Sequence, residues 1–125
     1  MRIRNSIIAG DHAPSSPDIS GTLTSDGYNL IQNLSGATFA PNKQHNTDLS
    51  GDNFPTLGID PLLRDNGGLA KLHTFTHVLL SGSPAIDIIP LDACHVNRIM
   101  ADQRGVKRPD GNENGCDIGA YESIG

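Results

Sequence analysis

Apolar runs in this sequence are short, and turn residues close them throughout the chain. The stretches at 6–9, 21–24, 28–32, 37–40, 74–80, 84–89 and 116–122 are rich in Ile, Leu and Thr, and Gly, Pro, Asn, Asp or Ser bounds each one. Runs of this length and composition read as short strands, because they are too brief for helices and their β-branched content fits a pleated surface. Within 75–80, Phe75, His77 and Leu79 fall on one face and Thr76, Val78 and Leu80 on the other, so both faces are partly apolar and expected to be covered. The 14 glycines and 8 prolines in 125 residues indicate many turns while staying below the content that marks disorder.

Helix signals are scarce. The best is at 61–65, with Asp60 as an N-cap and Pro61 at the first helical position, stopped by Asn66, Gly67 and Gly68. A weak internal echo sets the segment from Asn5 beside the segment from Asn29, an offset of 24 residues. Self-similarity at such a period suggests strands that stack turn upon turn, with Asn above Asn at a repeated corner. The competing reading is two unrelated strands that share an Asn.

Charge excludes some classes. The net charge is −5, and no basic patch with interleaved aromatics offers a nucleic-acid footprint. No apolar run approaches the roughly 18 residues of a membrane span. The first ten residues carry two arginines but lack the apolar core of a signal peptide, so any export signal is expected outside this chain. Cys94 and Cys116, 22 positions apart in turn-rich surroundings, are too few for a four-cysteine zinc site. They read as a structural disulfide, which would imply an oxidising compartment, or else as two independent thiols.

The segment 102–122 concentrates charge, glycine and a cysteine. One reading is a structural clasp, in which Arg104 and Arg108 meet Asp87, Asp110 or Asp117 and fix loops in one geometry. Gly105, Gly111, Gly115 and Gly119 would make the corners, and Pro109 would stiffen the step after Arg108. The other reading is catalytic. Asp102, Asp117 and Glu122 with Arg104 or Arg108 could serve as the paired carboxylates of a glycosidase, or as the base and cation of a polysaccharide lyase. Spacing selects no pair among them. His73 and His77 are four apart, a metal spacing on a helix, but on a strand they lie about 13 Å apart. The other histidines, His12, His45 and His95, form no pattern. The loop at 108–115 has acidic character but not the ligand order of an EF-hand. Asp48, Asp52 and Asp60 read as solvated or Asx-turn residues. No cofactor and no metal is expected.

Taken in order, "NSIIAG", "DISGTLTSDGYNLI", "GDNFPTLGIDPLL", "DNGG", "TFTHVLLSGSPAID" and "ACHVNRIMADQRGVKRPDGNENGCDIGAYE" resemble the C-terminal part of secreted bacterial choice-of-anchor Q domain proteins, within the pectin-lyase-like β-helix group. The likeness runs from Asn5 to Glu122; "GSPAID", "DQRG", "RPDG" and "CDIGAYE" together are its specific part. It implies a mainly β fold, the last rungs of a right-handed parallel β-helix over 1–60, and last strands with a loop-rich cap over 61–125. It also implies a longer parent protein with further rungs upstream, and pairing of Cys94 with Cys116. The segments at 66–77 and 93–105 depart from the family pattern by their length. The expected role is a non-enzymatic, secreted or surface-displayed structural and adhesive module that binds carbohydrate or another cell-envelope partner. A polysaccharide-active enzyme is the alternative. An open N-terminal edge at 6–9, with Ile7 and Ile8 and only Arg2 and Arg4 nearby, predicts self-association.

Overall fold

The computed structural model describes residues 1–41, 46–51, 57–68, 74–111 and 113–124. The fold is mainly strand, as the turn-punctuated sequence predicts, and it divides into two compact units, Met1–Leu57 and Gly58–Gly125.

The first unit contains β1 (Arg2–Ile3), β2 (Ile7–Ile8), β3 (Gly21–Ser25), β4 (Leu30–Ile31), β5 (Ala37–Phe39) and β6 (Leu49–Ser50). They form two three-stranded parallel sheets, ordered β1-β3-β5 and β2-β4-β6. Buried Ile19, Leu23 and Ile31 make the core, with Ile3, Ile8, Leu34, Ala37 and Phe39 packed against them. Each fully buried Leu or Ile contributes about 1.5–3 kcal/mol over leaving it in water. This offsets the ordering of strands that are only two to five residues long.

The second unit contains β7 (Arg64–Asp65), β8 (Phe75–Thr76), β9 (Ile89–Pro90), the one-turn helix α1 (Leu91–Cys94), a 3-10 turn at Val96–Arg98, and β10 (Gly115–Cys116). Its strand pairs, β7 with β8 and β9 with β10, are antiparallel. Leu79, Ala85, Ile89, Cys94, Cys116 and Ile118 are its buried apolar residues. The disulfide joins Cys94 at the end of α1 to Cys116 in β10, with Cα atoms 5.7 Å apart, an ordinary separation for the bond. Gly115 has to be glycine, since a Cβ there would sit 2.5 Å from the Asp87 carbonyl oxygen.

The right-handed parallel β-helix expected from the echo and the resemblance is not what the chain forms. Among the described residues, parallel pairing is confined to the two small sheets of the first unit, and the strand pairs of the second are antiparallel. Antiparallel neighbours run in opposite directions and cannot be successive turns of one coil, and the spacing in the first unit is uneven as well. Paired residues are 22 or 23 apart in β1–β3 and β2–β4, but 19 apart in β4–β6 and 16 apart in β3–β5. The 24-residue interval of the echo is not repeated among these pairs.

The Asn echo marks a real pairing with a different corner. Ile7 pairs with Leu30, so Asn29 lies level with Ser6 and Asp48 rather than with Asn5. Buried Asn29 accepts the Ser6 N–H at 3.1 Å and donates to Asp48 Oδ1 at 3.1 Å, linking three neighbouring strands through one side chain.

The helix expected at 61–65 is also corrected. The Asp60 carboxylate accepts the Leu62 N–H at 2.9 Å and Arg64 Nε at 2.9 Å, an Asx-turn rather than a helix N-cap. Residues 64–65 then pair with β8 as a strand.

Candidate functional site

Four polar side chains of the 102–122 segment come together in the second unit, and all are buried: Asp102, Arg104, Arg108 and Glu122, with buried Asp117 beside them. A turn at 102–105 starts the cluster. Asp102 Oδ1 accepts the N–H groups of Arg104 (2.8 Å) and Val106 (3.0 Å), the local side-chain-to-backbone pattern Asp favours in turns. Its Oδ2 accepts Arg104 Nε at 3.0 Å, Arg104 Nη2 at 2.8 Å and the Glu122 N–H at 2.9 Å. Five donors thus satisfy one carboxylate.

Arg104 completes its fork by donating Nη2 to the Glu122 carbonyl at 2.6 Å and Nη1 to the Asn66 carbonyl at 3.2 Å. Its guanidinium carbon lies 3.7 Å from the centre of the Tyr121 ring, an attractive cation–π contact. Gly68 leaves room for it: φ is +137° there, and a Cβ would lie 2.9 Å from Arg104 atoms. The carboxylate partner of Arg104 is therefore Asp102, two residues away, and not Asp87 or Asp117.

Arg108 donates Nη1 to the Gly119 carbonyl at 3.1 Å and Nη2 to the Asp117 carbonyl. Its Nε is 3.0 Å from Glu122 Oε2 but makes no hydrogen bond, so this contact is an ion pair by proximity only. The Arg108 carbonyl meets His95 Nε2 at 2.6 Å, and Arg108–Pro109 is a cis peptide bond. Asp117 holds two separate backbones: Oδ1 accepts the Asp87 N–H at 2.8 Å and Oδ2 the Ser123 N–H at 2.6 Å. Asp87, placed in the left-handed region at φ 56°, contributes its backbone here rather than its carboxylate. Glu122 Oε2 accepts the Asp117 N–H at 3.1 Å, while Oε1 is buried without a partner.

The electrostatics follow from this packing. Burial raises the Glu122 carboxyl to about 7, against the opposing pull of the Asp117 N–H and the Arg108 charge. A second acidic group lies at a half-open cleft lined by Asp87, Glu113 and Ser123 with Leu79, Ile86 and Ile124. There a hydrogen bond with Asp110, then burial, raises Glu113 to about 7. Partial desolvation, then the Asp117 and Asp110 charges, raises Asp87.

Among the described residues, no three His, Cys, Asp or Glu side chains are grouped to hold a metal ion. His77 Nδ1 lies 2.8 Å from the Asp60 carbonyl; His73, His45 and Asp52 lie outside the described residues. Asp48 is engaged by Asn29 rather than solvated. The sequence pattern assigned no role in this cluster to Asn66, His95 or Tyr121. Their only signal was position beside the glycine turns and cysteines that carry the cluster. No known protein family, curated protein or solved structure matches this chain. Among the described residues, no helix is long and apolar enough to cross a membrane.

Proposed function

We propose that this chain is a non-enzymatic structural module of a secreted or surface-displayed protein, related to the choice-of-anchor Q proteins its sequence resembles, and that it binds carbohydrate or another cell-envelope partner. One observation carries the non-enzymatic part. Asp102, Arg104 and Asp117, which a catalytic reading would need free, spend their polar atoms on each other and on backbone groups while buried. A substrate would first have to break those bonds. The disulfide supports an oxidising compartment, since such bonds persist there and are rare in reducing cytosol. Glycan-array binding combined with an activity screen on uronate-containing polymers tests the reading. Binding without cleavage is the expected result. Cleavage that disappears in Asp102→Asn or Glu122→Gln, with the fold intact, would replace it by a lyase or glycosidase.

Self-association at the N-terminal edge belongs to the same reading. Strands β1 and β2 are outer strands of their sheets, and Ile3 and Ile8 on them are only half-buried. Arg2, one of the two charges nearby, is already paired with Asp26, and Arg4 Nε reaches the Asp26 carbonyl at 3.4 Å. Little charge is left to deter strand addition. Sedimentation over a concentration series should show reversible association that an Ile8→Lys change suppresses. A monomer at every concentration would refute it.

A further inference from the structure

We propose that Glu122 is a proton-operated latch: as a neutral acid it holds residues 117–124 closed against the 102–108 turn, and as a carboxylate it lets that segment open. The geometry carries this. The Glu122 side chain is fully buried, Oε1 has no partner, and Oε2 has one backbone donor, the Asp117 N–H. An ionised carboxylate has about four acceptor positions to fill. Left buried in this state it lacks the donors that Asp102, a few ångströms along the same network, has in full.

The charged groups around it relieve the deficit only in part. Arg108 stands 3.0 Å away, but both its terminal nitrogens are committed to the Gly119 and Asp117 carbonyls, and its Nε–H is not directed at Glu122. His95 is bonded to the Arg108 carbonyl. Arg104 binds the Glu122 carbonyl rather than its carboxyl, and its charge is matched by Asp102. Asp117 and Glu113 add negative charge that disfavours ionisation. The bonds that cross from this segment to the 102–108 turn are the ones opening would release: Glu122 N–H to Asp102, Arg104 to the Glu122 carbonyl, Arg108 to the Gly119 and Asp117 carbonyls, and Gln103 N–H to the Ala120 carbonyl. Ser123 and Ile124 also line the cleft beside Asp87 and Glu113, so opening would reshape that cleft.

The sign is fixed by linkage. A carboxyl held near 7 when closed and near its ordinary value when open binds more protons in the closed form between those limits. Closure is therefore strongest below about pH 4.5 and weakens as pH rises through about 7, where the effect levels off. Between pH 5 and pH 8 the opening equilibrium rises by tens of fold, roughly 70-fold for this shift.

Hydrogen–deuterium exchange of residues 117–124 on the full, disulfide-bonded chain tests this, after division by the intrinsic chemical rates at each pH. The wild type should lose protection by tens of fold from pH 5 to pH 8, and Glu122→Gln should show a flat profile. Equal pH profiles in the two proteins, or a flat wild type, would overturn the latch. A carbon-13 titration of the Glu122 carboxyl in the wild type needs no variant. A midpoint near 7 supports the proposal, and one at or below the ordinary 4.5 overturns it.

Discussion

Arg104→Ala is expected to cost about 3 to 5 kcal/mol of stability, because it strands a buried carboxylate. Arg104 is 3% exposed, and the Asp102 side chain is completely buried. The change removes both side-chain donors among the five that reach Asp102, and leaves the Asn66 and Glu122 carbonyls without their guanidinium donors. It also removes the ring contact to Tyr121. A loss this large corresponds to a fall of roughly 10 °C or more in the melting midpoint of a small domain. Arg104→Lys should fall between the two proteins, since an ammonium keeps the charge but not the planar fork. Arg2→Ala is the control: Arg2 pairs with Asp26 at the surface, and its loss should leave the midpoint unchanged. Thermal melts of the four proteins decide. An unchanged midpoint for Arg104→Ala would show that the guanidinium holds nothing together.

Loss of the disulfide ranks second. Cys94 and Cys116 enclose a sequence separation of 22, and closing a loop of that size contributes roughly 3 kcal/mol in the chain-entropy model. Both residues are buried, Cys94 on α1 and Cys116 on β10, so a Cys94→Ser, Cys116→Ser protein also places two hydroxyls at buried positions. Intact mass with and without reductant should show a gain of two hydrogens, and urea unfolding should give a lower midpoint for the reduced chain. Two thiols that alkylate freely in oxidatively prepared, unreduced protein would contradict the bond.

The parts of this architecture that sequence made legible are those decided by local pattern. Leu30 and Ile31 sit in a short apolar run between Asn and turn residues, and they form the central strand of a sheet. The 21–24 run is likewise a strand, extended by Ser25. Elements decided by partners were not legible. Arg64 and Asp65 are polar and exposed, and they become a strand only because Phe75 and Thr76 pair with them. Asp60 and Pro61 offer the same local signal to a helix and to an Asx-turn, and Arg64 on the Asp60 carboxylate accompanies the turn. The four-residue helix at Leu91–Cys94 is too short to show a period.

The cluster divides in the same way. Its membership was visible, since Asp102, Arg104, Arg108, Asp117 and Glu122 all belong to one glycine-rich span. Its wiring was not, because distance along the chain does not choose partners. Arg104 takes the nearest acid, Asp102, whereas Asp117 reaches back 30 residues to the Asp87 N–H. The β-helix expectation failed for a related reason. The echo at Asn5 and Asn29 gives one interval, and one interval cannot show that the next two are 19 and 16.

Asp102 and Arg104 satisfy each other while buried, and that pairing is expected to hold the 102–122 loops together. A double-mutant cycle in urea on Asp102→Ala, Arg104→Ala and the combined protein tests it most directly. If each residue satisfies the other, removing both costs little more than removing one, and the coupling energy should reach at least about 2 kcal/mol. Single-mutant losses that simply add, to within about 0.5 kcal/mol, would contradict it and return both side chains to the pool of groups available to a ligand.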